Sequence, residues 1–385
     1  MKFPIYMDNH ATTPVDPAVL EAMMPYLKDK FGNVASVHRC GRDVVGPVTM
    51  ARKQVADLIG ATLREIVFTS GATESDNLAI KGTAFANQDK GRHIITQVTE
   101  HKAVLSTCDW LEEHGFAVTR LQVDAHGRVT ARQVQEALRT GAAGTMDRTV
   151  LVSIMGANNE IGTLQPVKEI GAVCRDAGVL FHTDAAQCAG KADFHVKDCG
   201  VDLASFSSHK IYGPKGVGAL YVRSGTKIEA QMHGGGQEFG MRSGTLAVPM
   251  VVALGHACLL AGKNMQEEQR KLTRLRRRLF DGLQRVYPRL RLNGDPEHRL
   301  AGNLSITFPG IEGDLLIPGL TNICCSNTSA CASGSEEVSH VLTALGLSKA
   351  DCRATIRFGI GRFNTEAEVD YVIDAMDSAL QRFAG

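Results

Sequence analysis

Apolar and polar positions alternate along this chain in blocks. In the first two-thirds, short β-rich runs recur at 65–69, 93–97, 150–155, 179–182, 203–206 and 218–222. Several are near-continuous apolar stretches, the pattern of strands covered on both faces. Between them lie segments with helical spacing at 51–58, 78–85, 104–113, 131–139 and 167–177. Strands alternating with helices predict an α/β fold built on a mostly parallel sheet.

The pattern changes near residue 260. Residues 263–286 read as one long helix, with Leu272, Leu275, Leu279 and Leu283 apolar and Arg274, Arg276, Arg277 and Arg278 forming a basic face. Pro288 should stop it, because a proline pushes the preceding residue out of helical geometry. The basic face reads as the solvated side of a connecting helix; a docking face for an acidic partner is the sharper alternative. Beyond it come strand-like 303–308, a helix near 313–320, a small-residue loop, a helix at 336–345, strand-like 354–358 and a last helix at 366–383. This is a smaller α+β unit. No internal repeat or low-complexity linker interrupts the chain.

Composition narrows the class. The 385 residues are 44% hydrophobic and 22% charged, ordinary values for a folded protein with a sizeable core. A formal net charge of +1 gives no global attraction to nucleic acid or a membrane surface. No stretch reads as the roughly 20 apolar residues of a membrane span. The N-terminus turns polar by Asp8 and Asn9 and lacks a signal-peptide core. A cytoplasmic protein is expected. Ten cysteines are scattered without a Cys-x-x-Cys pair, which argues against a disulfide framework or a zinc ribbon. Most read as small buried apolar residues.

Three segments carry candidate chemistry. Thr69-Ser70-Gly71-Ala72-Thr73-Glu74-Ser75 links a strand to a helix. A small-residue turn there presents free N–H groups and a positive dipole end, a phosphate site. An ordinary capped helix, with Thr73 or Ser75 as cap, is the competing reading. The strand that ends His182-Thr183-Asp184 places a carboxylate where α/β sheets bind ligands. An Asp there can hold a pyridinium N–H; capping the next helix is its plainer use. Ser207-Ser208-His209-Lys210 follows another strand and precedes Gly213-Pro214-Lys215-Gly216. A Schiff-base lysine needs rigid neighbours and an available amine, and Ser207 and His209 suit a phosphate. Lys215 competes but lacks the flanking hydroxyl and imidazole.

A fourth segment, 321–335, is polar and small-sided, and is expected to be an exposed, mobile loop. Ser333-x-x-Glu336 has the form of a capping box, so Cys331 would lie just before a helix start, which favours thiolate. A structural cysteine, or a metal group from Cys324, Cys325 and Cys331, is the alternative. His10, His38 and His340 default to structural histidines.

The order of phosphate turn, aspartate and lysine resembles that of fold-type I pyridoxal-phosphate enzymes of the class V aminotransferase group. Over essentially the whole chain the sequence is similar to cysteine desulfurases of the NifS/IscS group. The likeness rests on residues 8–14, 31–33, 68–77, 99–102, 157–160, 182–187, 207–213, 234–245, Ser329-Ala330-Cys331 and 356–358. It implies a large pyridoxal 5'-phosphate domain over 16–259 and a small domain from 1–15 and 260–385. Lys210 matches the Schiff-base lysine, Asp184 the partner of the pyridine nitrogen, and His101 the imidazole stacked on the ring. Gln187 and Asn159 match side chains near the phenolic oxygen and substrate, and Ala72, Thr73, Ser207 and His209 match the phosphate cradle. Thr245 matches a threonine that reaches the phosphate from a neighbouring subunit, which implies a homodimer. Asn33 and Arg357 match the holders of the substrate carboxylate, and a guanidinium fork suits that task.

The same likeness implies that Cys331 takes sulfur from L-cysteine as a persulfide, leaving L-alanine. The sulfur would pass to a protein acceptor for iron–sulfur assembly or tRNA thiolation. No metal site is expected beyond a transient iron–sulfur contact at Cys331. Asn327-Thr328 stands where the family has Ser-Gly, Val34 replaces a proline, and the chain ends at Gly385 without the longer tail some members use for docking. Rival readings are an aminotransferase or selenocysteine lyase of the same fold, and a weakly catalytic sulfur-relay scaffold.

Overall fold

The computed structural model describes residues 1–141, 148–311, 316, 319–327 and 338–382. Seven strands form the main sheet: β2 (Ile66–Thr69), β3 (His93–Gln97), β4 (Ala117–Leu121), β5 (Thr149–Ser153), β6 (Leu180–Asp184), β7 (Leu203–Ser207) and β8 (Gly218–Val222). Their order is β2-β8-β7-β6-β5-β3-β4. The pairs β7–β6, β6–β5, β5–β3 and β3–β4 are parallel, and β8 alone runs against both its neighbours. The expected mostly parallel α/β sheet is therefore present. Strand β4 was not anticipated. Ala-Val-Thr-Arg-Leu sits at the sheet edge, half-buried, and lacks a continuous apolar run.

Helices cover both faces: α1 (Pro17–Lys28), α2 (Arg39–Ile59), α3 (Ala72–Ala86), α4 (Lys102–Glu113), α5 (Ala131–Thr140) and α6 (Val167–Ala177). Two apolar clusters sandwich the sheet. One contains Val44, Ile66, Phe68, Phe181 and Leu254; the other contains Val67, Leu78, Ile94, Leu151 and Leu220. Alternate residues Ile66, Val67 and Phe68 fall into opposite clusters, as the period-two geometry of a strand requires.

Helix α7 runs from Val248 to Val286, so it begins well before the expected Lys263. Residues 248–262 are apolar nearly all round and carry Gly255, which masks helical periodicity. One side of this stretch is buried because α7 packs on α1 and α2: Val251, Leu254, Ala257 and Cys258 belong to the first cluster. A Cβ at Gly255 would stand 2.5 Å from Ala51 Cα, so only glycine permits this approach. By length and composition α7 could cross a membrane, but part of its apolar stretch is core. Its second half serves a separate cluster through Leu275, Leu279 and Leu283, together with Ile5, Met7, Ile306, Phe358 and Val372. Two arginines of the basic face are paired within the chain. Arg274 meets Glu366 at 3.2 Å and Arg278 meets Asp370 at 2.6 Å on the C-terminal helix Glu366–Gln381.

That separate cluster lies under an antiparallel sheet of order β12-β13-β10-β9: β9 (Arg291–Leu292), β10 (Asn303–Thr307), β12 (Ser326–Asn327) and β13 (Thr355–Gly359). The N-terminal strand β1 (Ile5–Tyr6) pairs in parallel with β11 (Ile323–Cys324). The expected helix near 313–320 falls largely outside the described residues. Of the expected 336–345 helix, His340–Ala344 is described, capped by the Ser339 hydroxyl, which accepts from the Leu342 N–H. The Ser333–Glu336 capping box lies outside the described residues.

One buried ion pair ties α2 to the loop after β8. Glu238 accepts from both terminal nitrogens of Arg52 at 2.7 and 2.6 Å and from the Phe68 N–H at 2.7 Å. Both Glu238 and Phe239 have positive φ, 50° and 60°, a costly geometry that these contacts hold. Replacing Glu238 with Ala leaves Arg52 without its counter-charge. We expect the variant to lose about 3–5 kcal/mol of stability, read as a clear fall in Tm against wild type.

Candidate active site

The chemistry-bearing segments converge at one edge of the main sheet, beyond the carboxyl ends of its parallel strands, where such sheets bind ligands. Thr69 ends β2, Asp184 ends β6 and Ser207 ends β7. Thr69 and Ser207 both lie opposite Gly218 of β8. A Cβ at Gly218 would stand 2.7 Å from Gly71 Cα, so glycine is needed for the turn to sit this low on the sheet.

That turn opens α3 at Gly71, and no side chain caps the helix. The competing reading of Thr73 or Ser75 as cap is thereby corrected. Ser75 is buried and bonds Thr69 Oγ1 at 2.7 Å, while Thr73 is exposed past the first helical residue, Ala72. The uncapped N-terminus adjoins Ser207, whose Oγ would be 3.9 Å from a Cβ on Gly71. Free N–H groups and a serine hydroxyl at a positive dipole end form an anion cradle.

Lys210 ends a short 3-10 turn, Ser208–Lys210, directly after β7. Its Nζ donates to the carbonyls of Ala11 at 2.7 Å and His10 at 2.9 Å. The same N-terminal segment grips the rest of the turn. Thr13 donates through its N–H and Oγ1 to the His209 carbonyl, and its Oγ1 accepts from the Tyr212 N–H at 2.8 Å. Tyr212 has φ +66°, a strained value for an aromatic residue, two positions after the lysine. His209 Nδ1 lies 3.1 Å from Thr12 Oγ1. Burial pushes the His209 imidazole down to about 4, helped by Lys210, Lys215 and Lys191. Lys215 is exposed.

Asp184 is buried, with Oδ1 accepting from the Ala186 N–H at 2.9 Å. Burial raises its proton affinity, against the opposing pull of His101, that N–H and Lys210. His101 is the N-cap of α4, and its Nδ1 accepts from the Ala103 N–H at 3.1 Å. The neutral ring therefore carries its proton on Nε2. Its side chain is open to solvent, yet the surrounding protein lowers its pKa; Asp184 opposes this and Lys210 adds to it. Gln187 is buried and donates from Nε2 to the His10 carbonyl at 2.8 Å.

Arg357 on β13 comes in from the smaller sheet. It is buried, and its terminal nitrogens donate to Asp8 Oδ1 at 2.7 Å and to the Asn159 carbonyl at 3.1 Å.

The class-V aminotransferase family model matches residues 5–372. The chain belongs to that family. It is 51% identical over 376 residues to the cysteine desulfurase IscS of Anaeromyxobacter dehalogenans, covering 97% of this chain and 91% of that protein. It is 48% identical over 380 residues to the IscS of Methanosarcina thermophila, covering 98% and 92%. Among solved structures, a NifS-like protein superposes with a TM-score of 0.90 at 38% identity, covering 98% of this chain and 99% of that one. SspA in complex with cysteine gives 0.82 at 39%, covering 94% and 100%.

Other sequence-derived candidates of this class-V chain have the following surroundings. Asn33 is exposed, its Oδ1 taken by the Ala35 N–H at 2.9 Å. Thr245 is exposed in the segment leading to α7. Cys331 lies outside the described residues. Cys325 is pushed up to about 12 by burial, with Asp8 adding to the shift. Cys108, Cys174, Cys188, Cys258 and Cys352 are buried free thiols. Among the described residues, no group of three or more His, Cys, Asp or Glu is placed to hold a metal. His10 is not a bystander, since it is buried against Gln187 and its carbonyl holds Lys210. His38 caps α2, and His340 Nε2 lies 2.9 Å from the Glu100 carbonyl.

Sequence reasoning missed the acids behind Asp184. Asp76 and Glu100 are fully buried, and both lie close enough to Asp184 to add to their raised proton affinity. Glu100 Oε1 accepts from the Met155 N–H at 2.7 Å and Gln97 Nε2 at 2.9 Å, but buried Oε2 has no partner among the described residues. Burial, aided by Asp184, pushes Glu100 up to about 8. A carboxyl raised above its unfolded value of 4.5 favours folding below that value and loses this contribution as pH rises through about 8. Glu100→Gln removes this group's titration. The stability difference between variant and wild type, read from denaturant unfolding, should therefore move in the variant's favour between about pH 4.5 and 8, by an amount on the order of a few kcal/mol. A pH-independent difference would refute the assignment.

Proposed function

We propose that this chain is a pyridoxal-phosphate-dependent cysteine desulfurase, with Lys210 as the cofactor lysine and Cys331 as the sulfur acceptor. The observation that carries this reading is the set assembled at one sheet edge: an uncapped helix N-terminus beside Ser207, buried Asp184, and Lys210 on a rigid strained turn. The donor set fits a phosphorylated pyridine aldehyde. The N–H groups of Ala72 and Thr73, with Ser207 and His209, suit its phosphate, and Asp184 suits its ring nitrogen. His101 would stack on the ring, and Gln187 and Asn159 would sit near the phenolic oxygen and substrate. About 50% identity to cysteine desulfurases over nearly the whole chain supports the substrate assignment.

Bound pyridoxal phosphate supplies an electron sink for the charge left when the substrate loses its α-proton. The residues of this chain do the rest. Arg357 and Asn33 hold the carboxylate of L-cysteine. Lys210 takes the α-proton, and His101 exchanges protons at the ring. The Cys331 thiolate bonds to the substrate sulfur, and the carbon–sulfur bond breaks with its electron pair staying on carbon. Protonation of that carbon and return of a proton to the α-carbon give L-alanine, and sulfur remains as the outer atom of a Cys331 persulfide. A protein acceptor, such as an iron–sulfur scaffold, then takes the sulfur.

The reading includes a large domain over 16–259 and a small one from 1–15 and 260–385. It includes a homodimer in which Thr245 reaches the partner's phosphate, and a cytoplasmic setting.

Incubation with L-cysteine tests the proposal. Alanine should form in step with a one-sulfur mass adduct on the protein. Cys331→Ser should form no adduct and reduce turnover to background, and Lys210→Ala should lose the covalently held chromophore. Undiminished sulfide release from Cys331→Ser would remove that residue from the mechanism.

A further inference from the structure

Beneath Lys210 lies a second lysine that no step above uses. Lys191 follows β6 by a short turn and points its amine inward: Nζ donates to Gln187 Oε1 at 2.9 Å. Its own carbonyl accepts from Gln269 Nε2 of α7 at 2.8 Å, which fixes the turn. It lines a cavity of about 40 Å³ with His10, Tyr212, Glu268, Leu300 and Gly302.

An amide side chain can be placed either way round, and its neighbours decide. As an ammonium Lys191 can only donate, which turns Gln187 Oε1 toward it, where Oε1 also lies 3.3 Å from His10 Nδ1. Nε2 then faces the His10 carbonyl at 2.8 Å, and that carbonyl also accepts from Lys210 at 2.9 Å. Reversing the amide would set Oε1 against the carbonyl, two acceptors face to face. A continuous chain therefore runs from Lys191 through Gln187 and His10 to Lys210.

We propose that Lys191 is a positioning residue for the Lys210 amine, acting through the orientation of Gln187. This rests on the reading of Lys210 as the cofactor lysine. The charged and titratable groups around the pair are Asp184 and His101 across the site, His209 beside Lys210, His10 between them, Cys188 on the Lys191 turn and Glu268 on α7. Burial, with Lys210 adding to it, lowers Lys191 to about 7; as ammonium or neutral amine it still donates.

The test is a pH titration of the visible chromophore in holoenzyme. Lys191→Met removes the donor and should move the titration midpoint by a threefold or greater change in proton affinity. Lys191→Gln keeps a donor without the charge and should titrate like wild type. In a Gln187→Ala background, Lys191→Met should have no further effect, since coupled residues are non-additive. A wild-type midpoint in Lys191→Met, or a shift that persists without Gln187, overturns the proposal. If Lys191→Met does not fold, the Gln variant decides: a shifted midpoint there overturns it as well. Retention of the covalently held chromophore by Lys210→Ala would instead defeat the reading of Lys210, and this inference with it.

Discussion

Two backbone carbonyls, those of His10 and Ala11, hold the amine of Lys210, and the site depends on where they are. The segment that carries them is tied at both ends. Before it, β1 pairs with β11, and Asp8 meets Gly359 and Arg357 of the smaller sheet. After it, Thr13 clamps the turn at His209 and Tyr212, and Asp16 accepts from Arg362 at 2.6 Å. About a dozen residues thus stitch the antiparallel sheet to the strand that ends beside the lysine. Hydrogen bonds therefore link the smaller sheet to the Lys210 amine, alongside the packing of α7 in both cores.

The electrostatics around this clamp follow from burial. Asp184 shares its surroundings with Asp76 and Glu100, and all three have raised proton affinity. Three buried carboxylates cannot all be charged cheaply. Asp184 is the one whose charge is favoured by His101 and Lys210. His182, below it in the sheet, is lowered to about 3 by burial and is neutral, bonded to the hydroxyls of Ser153 and Ser205. His101 and Lys210 thus favour negative charge at the strand end that faces the site, while burial disfavours it on the carboxyls behind.

Much of this was legible in the chain. The strands at 93–97 and 218–222 are found at those positions, and the turn, aspartate and lysine segments do come together. What was missed has physical reasons. Helix α2 spans Arg39–Ile59, but Gly41, Gly46 and Pro47 in its first half read as breakers; packing against α7 overrides local propensity. Helix α7 lost its apparent start because its first half is apolar nearly all round, which hides the helical period. The carbonyl clamp on Lys210 could not be read at all. A carbonyl is present at every residue, and only the long-range fold selects two of them.

Arg357 shows how the same logic shapes recognition. A guanidinium buried this deeply would be costly alone, and Asp8 already balances it at 2.7 Å. Its Nε is buried without a partner among the described residues. A carboxylate ligand arriving here therefore meets a cation that is partly satisfied rather than a bare one. It must share the guanidinium with Asp8 or displace it, and either way gains less than the full value of a desolvated ion pair. On the proposed role of Arg357, stability of the free protein and capture of a carboxylate would draw on one charge, so each would limit the other. The balance is struck by the strand pairing that fixes Asp8 against Gly359, two residues from Arg357, and not by the arginine itself.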